Sequence, residues 1–256
     1  MSLLLKNELR LRLGPQHCDA AIWRAGFRPR EMGHASVAGR NGESLEIALG
    51  TLVADGHELP QHAALWVEDE YLYTLMLPAN GSWNAANQAA RTQFAQMLGH
   101  NDLKVQTSLA PCGANWIAVA LEAALLEQWR ETLTARGIEV DQVGSALLED
   151  LVTLREALRH HVGLAVLVRR EGASVITLNA ETITHIEWER CDVTEPDQLA
   201  ARIEAHALQQ HAHEAASDTA PAVCIVPFNA GQRALLEDMC AERGWTLCRA
   251  VHGTAA

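Results

Sequence analysis

The chain of 256 residues has no apolar run near the roughly 18 residues that a membrane-spanning helix needs. Any membrane role is therefore expected at the surface or through a partner. The opening Met1-Ser2-Leu3-Leu4-Leu5-Lys6 is too short an apolar run for a secretory signal. Basic residues are outnumbered: 20 Lys and Arg face 32 Asp and Glu, a formal charge of -12. An acidic surface repels phosphate backbones, so nucleic acid is not expected as a partner. Of six cysteines, none forms a Cys-x-x-Cys pair. Scattered singly through apolar runs, they read as reduced core residues, which fits the cytosol.

Catalytic signatures are missing too. There is no Gly-x-x-x-x-Gly-Lys-Ser/Thr loop and no Gly-x-Gly-x-x-Gly turn after a strand, so the common backbone cradles for phosphate are absent. No Gly-x-Ser-x-Gly elbow occurs, and no cysteine sits in a nucleophile context. Adjacent acids such as Glu149-Asp150 and Glu237-Asp238 point in different directions on a helix and read as solvated faces. Glu68-Asp69-Glu70 could hold a cation, but neighbours on a turn diverge, so a solvated turn is expected. His206, His211 and His213 share one expected helix at steps of five and two. Two rings align at three or four, so no metal site is expected.

What the chain does contain is a repeat. Trp116-Ile117-Ala118-Val119-Ala120 reads as a strand, Ala123 to Arg136 as a helix, and Gly137-Ile138-Glu139-Val140 as a strand. About a hundred residues on, Val223-Cys224-Ile225-Val226, Ala230 to Arg243 and Gly244-Trp245-Thr246-Leu247 repeat the order. Both helices carry Ala-Leu-Leu-Glu and end on Arg-Gly. Ahead of the first copy, Leu9, Leu11 and Leu13 alternate with charges, and Cys18 to Ala25 follows the Gly14-Pro15 break; the two read as a hairpin. Gly26 to Gly42 reads as an irregular loop with a basic excess, Phe27-Arg28-Pro29-Arg30 and Gly39-Arg40-Asn41-Gly42. It is solvated in the simpler reading and docks an acidic partner in the other. Leu45 to Leu52 fits a strand or a short helix equally.

Ala64 to Val67 and Tyr71 to Pro78 read as strands. Behind the cap Ser82, Trp83, Ala86, Ala90, Phe94 and Met97 give one apolar helical face. Asp102 to Leu109 reads as a strand, and Pro111-Cys112-Gly113 as a tight connector. Ala146 to His160 reads as one helix with Leu147, Leu151, Leu154 and Leu158 in line. Leu164 to Val168, Ser174 to Leu178 and Thr182 to Trp188 form a meander with turns at Glu171-Gly172 and Asn179-Ala180. Thr194-Glu195-Pro196-Asp197 opens a helix, and Ser217 to Pro221 reads as a loop. The expected fold is α/β with duplicated, mixed-sheet meander-helix-strand halves, 1–144 and 145–256.

This pattern resembles the actin-like (ribonuclease-H-like) ATPase superfamily, nearest to its degenerate members in cell-envelope machines: the cytoplasmic domain of the type II secretion L protein and the type IV pilus M protein. Leu9 to Gly14 with the hairpin to Trp23, Asn115 to Val140, Leu164 to Trp188 and Ala222 to Leu247 carry it. The resemblance implies a two-lobed fold and two phosphate hairpins. Working members place an Asp and small or hydroxyl residues there. Here the hairpins offer Gly14-Pro15-Gln16 and Arg169-Arg170-Glu171-Gly172, and the adenosine loop would be Pro227-Phe228-Asn229-Ala230-Gly231. These departures argue against ATP hydrolysis. The L proteins also carry a transmembrane helix that this sequence lacks, as a soluble relative or a truncated domain would.

The function implied is a non-catalytic cytoplasmic adaptor that docks inner-membrane or cytoplasmic components of a pilus or secretion platform, peripheral to the membrane through them. It has no cofactor, and a homodimer is left open. The alternative is a divergent actin-like ATPase or phosphotransferase binding ATP with Mg. Gly14, Arg169, Arg170 and Gly231 would then line an interlobe cleft, although a hairpin tip such as Arg169-Arg170 is more often solvated. A plain self-associating scaffold is the third class.

Overall fold

The computed structural model describes residues 7–24, 26, 29–110, 115–159, 161–179, 182–213 and 221–249, with the side chains of 41 and 211–213 left aside. The Pro111-Cys112-Gly113 connector, Phe27 and Arg28 of the basic loop, Ala180 of the second turn, the loop up to Ala220 and the side chains of His211 and His213 lie outside these residues.

In chain order the elements begin with strands β1 (Asn7–Gly14), β2 (His17–Arg24) and β3 (Arg30–Ala38), helix α1 (Asn41–Ala54) and strand β4 (His62–Val67). A short 3-10 turn, Asp69–Tyr71, leads to β5 (Tyr73–Pro78), α2 (Trp83–Leu98), β6 (Leu103–Leu109), β7 (Asn115–Glu122), α3 (Ala123–Thr134) and β8 (Glu139–Ser145). The rest comprises α4 (Ala146–Thr153), α5 (Arg155–Leu158), β9 (Gly163–Val168), β10 (Gly172–Asn179), β11 (Thr182–Arg190), α6 (Pro196–His213), β12 (Ala222–Val226), α7 (Ala230–Arg243) and β13 (Thr246–Leu247).

Two compact units result. One comprises Met1–Tyr73, Asn87–Gln106 and Val119–Glu149; the other comprises Thr74–Ala86, Thr107–Ala118 and Asp150–Ala256. Each holds a five-stranded sheet, in the order β3-β2-β1-β4-β8 and β11-β10-β9-β12-β13. In the first, β1 pairs antiparallel with β2 and β2 with β3, while β4 lies parallel to both β1 and β8. In the second, β10 lies antiparallel to β9 and β11, while β12 lies parallel to β9 and β13. The two sheets are thus copies in order and direction: an antiparallel meander continued by two parallel strands.

The copies do not match strand for strand as the sequence suggests. The place of β12 is taken in the first sheet by β4, whereas β7 belongs to a separate three-stranded sheet, β5-β7-β6. All three candidates are apolar runs with most residues buried. Such a run shows that a strand is covered on both faces, not which neighbour it bonds.

Three further segments depart from expectation. Residues 30–38, read as loop, form β3. Only Ala35 of that strand is buried, so no period-two signal survives in its sequence. Leu45, Ala48, Leu49 and Leu52 settle the open segment as helix α1, at three- and four-residue steps and fully buried against Leu9, Leu11 and Trp129. The expected long helix from Ala146 is interrupted at Leu154, yet Leu147, Leu151, Leu154 and Leu158 are all buried as read.

The Arg-Gly junction has a common physical cause. Gly137 and Gly244 stand past the ends of α3 and α7 at φ 72° and 67°. The N–H of Ile138 donates to Leu133 O (3.0 Å), and that of Trp245 to Cys240 O (2.9 Å). Gly137 and Gly244 donate to Thr134 O and Ala241 O. This is the Schellman closure, which needs a left-handed residue and turns the chain into the following strand. A Cβ at either glycine meets nothing within 4 Å, so the cost of a side chain is conformational. Gly137→Ala is expected to lower stability by about 1 kcal/mol and Gly137→Asn by less, read from the urea midpoint at constant slope.

Candidate functional site

In open α/β sheets, ligands bind outside the carboxyl ends of the parallel strands. The expected phosphate hairpins stand at those ends, after β1 and after β9.

In the first unit, β1 and β4 end at Leu13-Gly14 and Val67. The N–H of Glu68 donates to Leu13 O (2.9 Å), which holds Glu68 against the hairpin. Arg12 donates through Nε to Glu68 Oε1 and through Nη2 to Oε2 (3.4 Å). His17 Nε2 lies 3.8 Å from the same carboxylate. Glu68 and Asp69 are each only 3% exposed, so this is not the solvated acidic turn that adjacency suggests. The sequence takes three acids after an apolar strand as a surface; the fold turns Glu68 back under the hairpin because the part-buried Arg12 guanidinium meets it there. Gly14, buried, faces the His17 ring. A Cβ at Gly14 would stand 2.3 Å from His17 Cε1, so this glycine makes room for a histidine rather than for a ligand oxygen.

In the second unit, β9 ends at Val168, and Arg169 and Arg170 follow. Arg169, expected at a solvated tip, is 2% exposed. Its Nη1 donates to Asp150 Oδ2 on α4, and that side chain is 1% exposed. Of the pair Glu149-Asp150, Glu149 is exposed as expected, whereas Asp150 points inward to a cation. Arg170 is exposed, with its guanidinium 5.3 Å from the Phe228 ring centre.

The β12–α7 connection closes the same end. Asn229 Oδ1 accepts the N–H of Gln232 (2.9 Å) and caps α7. Gln232 Oε1 accepts the N–H of Phe228 (2.6 Å), and its Nε2 donates to Arg169 O (3.0 Å). Gly231 lies exposed in the first turn of α7, and a Cβ there would meet only its own Asn229 Oδ1, at 3.4 Å. The fold thus brings Arg169, Arg170 and the Phe228–Gln232 loop together in one unit. Two backbone donors of that loop are taken by the protein's own amides. Gln232 was not among the residues singled out from sequence; its one signal is its place three residues after a capping Asn.

Histidines behave as partners of carboxylates. His206 Nε2 lies 3.1 Å from Glu189 Oε1 and its Nδ1 3.9 Å from Glu187 Oε2. His62, Glu139 and Asp141, across β4 and β8, place one ligand atom each within 4.8 Å of one another, a set that could hold a metal ion. His62 Nδ1 already lies 2.9 Å from Asp141 Oδ2 in this exposed cluster.

No protein-family model matches the chain, and no curated protein matches its sequence. Solved structures do. One is a protein of Bacteroides thetaiotaomicron with an actin-like ATPase fold and unknown function: TM-score 0.57, 10% identity, over 95% of this chain and 91% of that one. A second is the PilM-PilN type IV pilus biogenesis complex: TM-score 0.63, 14% identity, over 95% and 88%. A third is the cytoplasmic domain of EpsL, an inner-membrane component of the Vibrio cholerae type II secretion system: TM-score 0.49, 14% identity, over 86% and 82%. The first two establish the fold and the third adds no weight. The chain has the actin-like α/β fold, with its sheet duplicated as the sequence resemblance implies.

Removing one partner of a buried ion pair strands the other charge and costs about 3–5 kcal/mol, whereas an exposed cation on an aromatic face is worth about 0.5–1 kcal/mol. Arg169→Ala is accordingly expected to lower unfolding free energy by about 3–5 kcal/mol, and Arg170→Ala by no more than about 1 kcal/mol. Chemical denaturation of the two variants side by side checks the contrast.

Proposed function

We propose that this protein is a non-catalytic adaptor of the actin-like fold, docking partner proteins of a type IV pilus or type II secretion assembly platform at the inner membrane. No helix among the described residues is long and apolar enough to cross a membrane, and this reading assigns contact with that platform to partners. The observation that carries the non-catalytic half is the pair of ion pairs, Arg12–Glu68 and Arg169–Asp150, at the carboxyl ends of the parallel strands. Hydrolysis of a nucleoside triphosphate needs a carboxylate to hold the metal and open donors for the phosphates. Glu68 and Asp150 instead accept from guanidinium groups, and the loop donors of Phe228 and Gln232 meet side chains of the same loop.

Magnitudes favour this reading. Breaking one buried pair costs about 3–5 kcal/mol. Micromolar binding of a ligand supplies only about 8 kcal/mol in all. A nucleotide that had to displace the buried Arg169–Asp150 pair would lose about half of that affinity. The adaptor half is supported by the likeness in fold to the PilM-PilN type IV pilus biogenesis complex.

Titration calorimetry of the full chain with ATP and magnesium is expected to give no saturable heat below millimolar nucleotide. Affinity purification from cells making both is expected to retain a pilus or secretion inner-membrane component. Tight nucleotide binding with turnover would instead support the divergent ATPase. Recovery of the chain alone, as a self-associated species, would favour the plain scaffold.

A further inference from the structure

The last parallel strand pair brings two cysteines together in a way that neither the fold nor the adaptor reading uses. Strands β12 and β13 run parallel with Cys224 beside Thr246 and Ile225 beside Leu247. Cys248 follows directly, and its N–H donates to Ile225 O (2.8 Å), so backbone bonding fixes its position relative to Cys224. The two sulfur atoms stand 2.7 Å apart. Both residues carry free thiols. Cys224 is buried, and Cys248 is half-buried at the sheet edge. Arg233 on α7 reaches the same spot, its Nη1 donating to Cys248 O (2.5 Å).

We propose that Cys224 and Cys248 form a dithiol–disulfide pair, oxidised by peroxide, that fastens the edge strand β13 to β12. The roles follow from exposure and charge. Cys248 is the accessible member. Its thiol is pulled down to about 7 by the Cys224 thiol first and by the nearby Arg233 charge after burial's opposing effect. A thiol that titrates near ambient pH is the most effective attacking group. Cys224 is pushed the other way, by the Cys248 contact and by burial, and so stays protonated as the resolving thiol.

The chemistry balances in two steps. The Cys248 thiolate attacks one oxygen of hydrogen peroxide, breaking the O–O bond to give a sulfenic acid and hydroxide. The Cys224 sulfur then displaces the sulfenic oxygen as water, its proton leaving with it. The protein gives up two electrons and the peroxide takes them. Cytosolic disulfides are as a rule transient and redox-sensing, so this pair is compatible with a reducing compartment, where thiol exchange restores it.

The product would clamp the shortest strand of its sheet. Strand β13 has two residues and one neighbour in its sheet, β12. A bond between residues 224 and 248 closes a loop around α7 and removes freedom from the unfolded chain.

Cleavage after arginine separates the three cysteines of this region: Cys224 falls on 203–233, Cys240 on 234–243 and Cys248 on 244–249. The full chain is reduced, desalted, treated with hydrogen peroxide, alkylated, cleaved and weighed. The expected species is 203–233 joined to 244–249, lighter by two hydrogen atoms than the sum of the parts and released by dithiothreitol. Cys240 and Cys191 are expected to remain alkylated thiols. Treated in parallel, Cys248→Ser is expected to leave Cys224 alkylated as well. Recovery of both Cys224 and Cys248 as alkylated thiols, oxidation of Cys248 to sulfonic acid without a link, or a link through Cys240 would each overturn the proposal.

Discussion

Two ion pairs, one buried and one part-buried, hold the ends of this molecule's parallel strands. At the end of β1 and β4 a guanidinium from the strand itself meets a carboxylate from the residue just past its neighbour. At the end of β9 a guanidinium past the strand meets a carboxylate from a helix. The solutions differ, but the need is the same. Strand ends in an α/β sheet gather backbone groups and charged side chains that lie out of water. Each must find a partner, because an unmatched buried charge costs several kcal/mol. Proteins that bind ligands there leave part of that need to the ligand. Here side chains of the protein meet it.

The two pairs sit in matching frames. Each five-stranded sheet runs a three-strand meander into two parallel strands, and each closes its last helix with a left-handed glycine that delivers the chain to the edge strand. Each sheet also has its own buried cluster: Leu9, Leu11, Leu65 and Trp129 in the first unit, Val166, Val223, Ile203 and Leu236 in the second. The frame was copied closely, while the chemistry at the strand ends was not. That separation is expected when a fold persists under packing and its site is free to change.

Much of the frame can be read from the residues, for specific reasons. The Arg136-Gly137 and Arg243-Gly244 junctions are visible because only glycine takes that backbone without penalty. The hairpin of Leu9, Leu11 and Leu13 is visible because one of its faces is buried. Strand β3 is hidden because a strand with one buried residue has no period to detect. The true partner of β12 is hidden because hydrogen bonds to a neighbour leave no mark on an apolar run. The site was less legible than the frame. Glu68 and Asp150 look like surface acids in the chain, and Arg169 looks like a turn tip. Their burial arises only when segments 56 and 19 residues apart meet. Gln232, which ties the α7 cap to Arg169, is chemically unremarkable until the fold places it.

The charges at the strand ends are matched from within. A double-mutant cycle on Arg169 and Asp150 tests this matching most directly, with Arg169→Met, Asp150→Leu and both together measured by denaturant unfolding. The account predicts that each single change costs about 3–5 kcal/mol and that the double variant recovers most of that loss, since two apolar groups replace two matched charges. Costs that simply add in the double variant would show that the two residues do not depend on each other, and would contradict it.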